Sequence, residues 1–66
     1  MARWTKDDIF ELLLVVGTVE ARDIHRFLYT EKTKNSVYRK LKKLNVDPRK
    51  ELTVEEINAI LETEAG

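Results

Sequence analysis

The chain has 66 residues and contains no cysteine, no glutamine, one proline, one histidine and two glycines. Without cysteine there can be no disulfide, no thiolate metal site and no cysteine nucleophile. A reducing, cytoplasmic setting is therefore permitted and is the expected location. Two glycines, Gly17 and the terminal Gly66, cannot build a glycine-rich phosphate loop. The lone His25 cannot assemble a zinc site of three or four ligands, and it sits at the edge of the buried face of its helix. No metal and no cofactor is expected. The longest apolar run is Leu12 to Val16, far short of the roughly 20 residues a membrane helix needs. Asp7 and Asp8 stand just before that run, where a secretory signal would carry bases. No membrane association is expected, and nothing implies a small-molecule ligand. Acid pairs occur at Asp7–Asp8 and Glu55–Glu56, but both fall in first turns of helices, where the dipole already accounts for them. No nucleophile lies beside an oriented base, so an enzyme is not expected.

What is present is charge. Charged residues make up 36% of the chain at zero net charge, a mix common in thermophile proteins. The charge is unevenly spread. Residues 1–21 hold two bases against four acids, residues 22–50 ten bases against three acids, and residues 51–66 five glutamates and no base. The net charges are −2, +7 and −5. A basic centre between acidic ends suits a polyanionic partner, although charges neutralising one another across a fold would give the same pattern.

Hydrophobic spacing and stop signals predict one all-α domain over residues 1–66, a compact four-helix unit with residues 1–4 and 63–66 fraying. The first helix is expected at 6–16, capped by Thr5 and ended by Gly17. Its apolar arc, with Ile9, Leu12, Leu13 and Val16 flanked by Phe10 and Leu14, is wider than one neighbour covers. It is therefore either central or part of a subunit interface. Val15, Val16 and Val19 around Gly17 leave room for a short extended piece. The second helix is expected at 21–29, with Ala21, Ile24, Phe27 and Leu28 inward. A polar connection, Thr30 to Thr33, leads to the third helix at 34–45, with Thr33 as cap and Val37, Leu41 and Leu44 as core face. Pro48 breaks the chain after it. The fourth helix, 54–62, has a capping box at Thr53 and Glu56 and a hydrophobic staple at Leu52 and Ile57. Val54, Ile57, Ile60 and Leu61 form its stripe.

With Val37, Leu41 and Leu44 inward, the third helix turns Asn35, Tyr38, Arg39, Lys42 and Lys43 outward, and Lys34 and Lys40 flank the stripe. Arg39 can fork onto guanine O6 and N7, and Asn35 can pair with adenine N6 and N7. The lysines and the amides at the helix start suit phosphate. The stretch ARDIHRFLYTEKTKNSVYRKLKKL, residues 21–44, resembles the second and third helices of helix-turn-helix and winged-helix transcription regulators. SVYRKLKKL, residues 36–44, is similar to their recognition helix, and GTVEARDIHRFL to the start of the helix before it. The resemblance covers about residues 17–44. It implies DNA contacts at Thr33, Lys34, Asn35, Tyr38, Arg39 and Lys42, with Arg22 and Lys43 at the backbone. This sequence departs from the pattern in a turn without glycine, in Phe27 where a small residue is usual, and in Glu31 in the turn. No wing follows, so a wingless variant with an extra C-terminal helix is implied.

The expected function is double-stranded DNA binding, in a small transcription regulator or mobile-element factor. Dimerisation through the first or fourth helix would suit it, since one helix spans few base pairs. The alternative is a protein-interaction or assembly module of the same fold. RNA binding ranks third, because Tyr38 is the one aromatic on the basic face and single strands want several stacking platforms.

Overall fold

Three threonines organise the molecule. In the computed structural model, which describes residues 4–29 and 31–65, each α-helix begins where a threonine side chain accepts a first-turn amide. Helix α1 spans Lys6–Val15, α2 spans Lys34–Lys43 and α3 spans Val54–Ala65. Thr5 and Asp8 form a reciprocal box at α1. The Asp8 amide donates to Thr5 Oγ1 and the Thr5 amide to Asp8 Oδ2, both at 3.1 Å. Thr53 and Glu56 do the same at α3, at 3.2 and 3.0 Å. Thr33 Oγ1 accepts the Ser36 amide at α2, 3.1 Å. Each cap satisfies donors that a helix start would leave orphaned, worth about 1 kcal/mol per cap.

The protein is a small all-α domain, and α1 is its centre. One side of α1, Leu12 and Val16, packs with Ile24, Val37 and Leu41. The other, Ile9 and Leu13, packs with Ile57 and Leu61. Trp4, Val46 and Leu52 lie against both groups. The wide apolar arc thus has two neighbours inside one chain. Phe10 and Leu14, on its flank, remain 40% and 48% exposed. Burying each of the large aliphatic side chains stabilises the fold by about 1.5–3 kcal/mol. The radius of gyration is 10.7 Å, against about 11 Å for a compact chain of this length.

The second helix differs from expectation. It is a 3₁₀ helix over Ala21–Phe27, opened by the Asp23 amide donating to the Glu20 carbonyl at 2.9 Å. No side chain caps it, and without a cap a short segment has little to hold the wider α turn. Leu28 and Tyr29 lie beyond its end. Phe27, expected in the core, is 59% exposed. Ile24 fills the inward slot, and Leu28, in extended backbone, packs on the core in its place. The Tyr29 amide donates to the Glu11 carboxylate, which ties this exit to α1.

Helix boundaries also moved. Helix α1 stops at Val15. Val16 caps its end, and an isolated bridge joins Val16 to Val19 across the turn at Gly17, without forming a strand. Asn45 is outside α2, in the left-handed region at φ 59°. The Val46 amide donates to the Leu41 carbonyl (2.9 Å) and the Asn45 amide to that of Lys42 (3.1 Å). This is a Schellman ending, with Asn45 in the place glycine usually fills. Asp47 and Pro48 then turn the chain, with the Lys50 amide donating to the Asp47 carbonyl. Helix α3 runs past Glu62 to Ala65, with Thr63 Oγ1 donating to the Ala59 carbonyl. Val54 at its first position is exposed rather than part of the buried stripe. Of the segments expected to fray, Trp4 is packed and residues 63–65 are helical, while residues 1–3 and 66 lie outside those described.

Candidate nucleic-acid interface

Helix α2 lies against the 3₁₀ helix and α3 packs on α1, and α2 and α3 meet only where Leu44, capping the end of α2, packs on the group holding Ile57 and Leu61. Along most of their length the acidic helix and the basic one lie on different sides of α1. Val37 and Leu41 are buried, which directs Asn35, Arg39, Lys42 and Lys43 to solvent, along with Thr33 and Lys34 in the first turn. Among the described residues the ion pairs are Arg22–Glu20, Arg26–Asp23 and Lys32–Asp8, and none involves an α2 cation. The outer strip of α2 is electropositive and uncovered.

The eight expected residues fall into three neighbourhoods. Thr33, Asn35, Arg39 and Lys43 share a cleft of about 550 Å³ with Trp4, Ser36 and Lys40. Tyr38 and Lys42 line a second cleft of about 420 Å³, closed by Asn45 to Pro48 at the end of the helix. Tyr38 is half-buried there rather than on the outer strip. Arg22 and Lys34 meet across a third, beside the 3₁₀ helix. Arg22 is exposed, with its Nε donating to Glu20 at 2.8 Å. The Thr33 hydroxyl is occupied as the acceptor of its cap.

Sequence reasoning missed the scaffold under α2. Lys32, assigned to a polar connection, is buried: its side chain is 3% exposed and its Nζ lies 3.5 Å from Asp8 Oδ2, whose side chain is 14% exposed. The ammonium also sits 5.1 Å from the centroid of the Trp4 ring, and Trp4 Nε1 donates to Ser36 Oγ at 3.3 Å. A buried cation is tolerated only when its charge is answered. Here a carboxylate and an aromatic face answer it. Asp8 joins the start of α1 to the residue before the α2 cap, so the orientation of α2 is set through Trp4, Lys32 and Asp8. Residues this far apart in the chain carried no local signal of the contact. His25 and Arg26, beside Arg22 and Lys34 in the third cleft, were also missed. The i, i+3 repeat of Arg22 and His25, eclipsed in a 3₁₀ helix, was the one hint available.

Fold and site together define a small all-α domain that presents one basic helix. No family model matches the chain, and no curated protein or solved structure is significantly similar to it. Among the described residues no three metal-ligating side chains converge, and no helix is long and apolar enough to cross a membrane.

Proposed function

We propose that the domain binds double-stranded DNA, with the outer strip of α2 in the major groove, as a small transcription regulator or mobile-element factor would. One observation carries the reading: Asn35, Arg39, Lys42 and Lys43 stand together on an exposed helix face, and among the described residues none of them is in an ion pair. Arg39 and Asn35 supply the bidentate groups for base edges. Lys42, Lys43 and Lys34 supply charge for phosphates. A short helix followed by a turn and then α2 is also the order in which DNA-reading helices are commonly presented.

The test is a titration of mixed-sequence duplex at several salt concentrations. Trp4 is the sole tryptophan and lines a cleft with Arg39 and Lys43, so its emission serves as the signal. Contacts to about five phosphates make log K fall with log salt at a slope of about −4 to −5. Arg39→Ala with Lys42→Ala weakens binding and leaves thermal stability unchanged, because both side chains are exposed. No binding at low salt, or a flat salt response, overturns the proposal.

A second reading, an assembly module, draws on the exposure of Phe10 and Leu14 on α1. Its mark is a stable oligomer or complex that survives the Arg39 and Lys42 double substitution and is lost on Phe10→Ser with Leu14→Ser. A homodimer formed through this face remains compatible with DNA binding by α2, since the two surfaces belong to different helices.

A further inference from the structure

Beside the groove-reading strip, a separate cleft of about 540 Å³ opens between the 3₁₀ helix and the first turn of α2, lined by Arg22, Asp23, His25, Arg26 and Lys34. Four nitrogen-bearing side chains from two elements converge there; Glu20 pairs with Arg22 at the edge, and Asp23 is the one acid lining the cleft. That acid is weakly engaged, because Arg26 Nη1 stands 4.0 Å from Asp23 Oδ1. Arg22 is held through Nε alone. His25 Nδ1 is shut off from solvent and has no hydrogen-bond partner among the described residues. With Nδ1 turned away from solvent, the imidazole meets the cleft through the rest of its ring. The cleft also faces the positive end of α2. Thr33 caps the Ser36 amide, which leaves the Lys34 and Asn35 amides as uncapped first-turn donors.

We propose that this cleft is a phosphate site, in which Arg22, His25, Arg26 and Lys34 together hold one phosphate group. The source favoured is a backbone phosphodiester of the DNA that α2 reads, and to that extent the inference rests on the reading above. Lys34 is the shared element, because it belongs both to the first turn of the groove helix and to the cleft wall. A phosphate held there would fix where along the groove α2 starts, a positioning contact that carries no sequence information.

The experiment compares wild type with Arg26→Gln, Asp23→Asn and Arg39→Ala, against mixed duplex and, in a separate arm, inorganic phosphate. Arg26 is exposed, so Arg26→Gln should retain the wild-type melting temperature. Loss of one phosphate contact lowers the steepness of the salt slope by about 0.9 and weakens binding about five- to tenfold at 0.1 M salt, equally for all sequences. Asp23→Asn tightens binding by removing the acid that lines the cleft. In NMR spectra, duplex shifts the His25 ring signals and the Lys34 amide of wild type, and those shifts disappear in Arg26→Gln. If inorganic phosphate alone shifts the same signals saturably while duplex does not, the site takes a free phosphate. The cleft then stands and the DNA reading fails. If Arg39→Ala weakens duplex binding while Arg26→Gln changes neither slope nor shifts, the cleft assignment is overturned and the DNA reading survives.

Discussion

Gly17→Ala is the most severe small change the structure allows, and its cost has two separable parts. Gly17 has φ +82°, a region that costs a residue bearing a β-carbon about 1–2 kcal/mol. A β-carbon there would also lie 2.3 Å from the Glu51 nitrogen, 2.4 Å from its Cα and 2.7 Å from the Lys50 carbonyl carbon. All three are main-chain atoms, so no rotamer change relieves the overlap, and moving a packed segment costs about 1–3 kcal/mol. The sum, about 2–5 kcal/mol, compares with a total stability of about 3–10 kcal/mol for a domain this size. Urea unfolding followed by Trp4 emission reads the loss. At a slope of about 1 kcal/mol per molar the midpoint falls by about 2 M or more. Gly17→Asn separates the two parts, because asparagine tolerates the left-handed region but keeps the β-carbon. It should recover at most the part due to φ, about 1–2 kcal/mol, and keep the cost of the overlap. Asn45 provides the control with the same backbone hand (φ 59°): Asn45→Gly should be close to neutral and Asn45→Ala cost about 1 kcal/mol. A Gly17→Ala protein within about 0.5 kcal/mol of wild type, the range of ordinary surface changes, would refute the close approach of the two turns.

Three further outcomes follow from named contacts. Asp8→Ala should cost about 3–5 kcal/mol by urea melt, because it strands the buried Lys32 cation and breaks the α1 cap, whereas Lys32→Met should cost far less. Equal losses from the two would mean the ammonium is not buried. Ile24→Ala, at a fully buried position, should cost about 2–5 kcal/mol, while Phe27→Ala stays below about 1 kcal/mol. The reverse order in thermal melts would restore Phe27 to the core. The Glu56 carboxyl is held below its ordinary value of 4.5, first by the Thr53 backbone amide and then by the Thr53 hydroxyl, against desolvation, with Lys50 adding a smaller lowering. A depressed folded value means the stabilisation is present above the unfolded value and is lost as pH falls through the folded one. Melts between pH 6 and pH 3 should therefore show the gap between wild type and Glu56→Gln closing as the solution is acidified below about 4.5. A gap independent of pH would remove the carboxylate from the cap.

The outer strip of α2 was legible because a single helix carries both its core stripe and its free face. Once Val37 and Leu41 point inward, the directions of Asn35, Arg39 and Lys42 follow from 100° per residue. Tyr38 lies close to the boundary on that wheel, and the chain turning back at Asn45 to Pro48 half-covers it. Phe27 was misplaced because the expected face assumed an α turn and a helix continuing through Tyr29, whereas the 3₁₀ helix ends at Phe27 and hands the inward position to Leu28.

From the amino-acid order alone came the threonine caps, a break in the chain near Gly17 and another at Pro48, and the core stripes of α1 and α2. These depend on residues three or four apart, whose geometry a helix dictates wherever it sits. Tertiary packing decided the burial of Lys32 between Asp8 and Trp4, the meeting of Gly17 with Lys50 and Glu51, and the gathering of His25 and Arg26 with Lys34. Those contacts join different elements, and their relative placement depends on how the two faces of α1 share one small core, which no local spacing encodes.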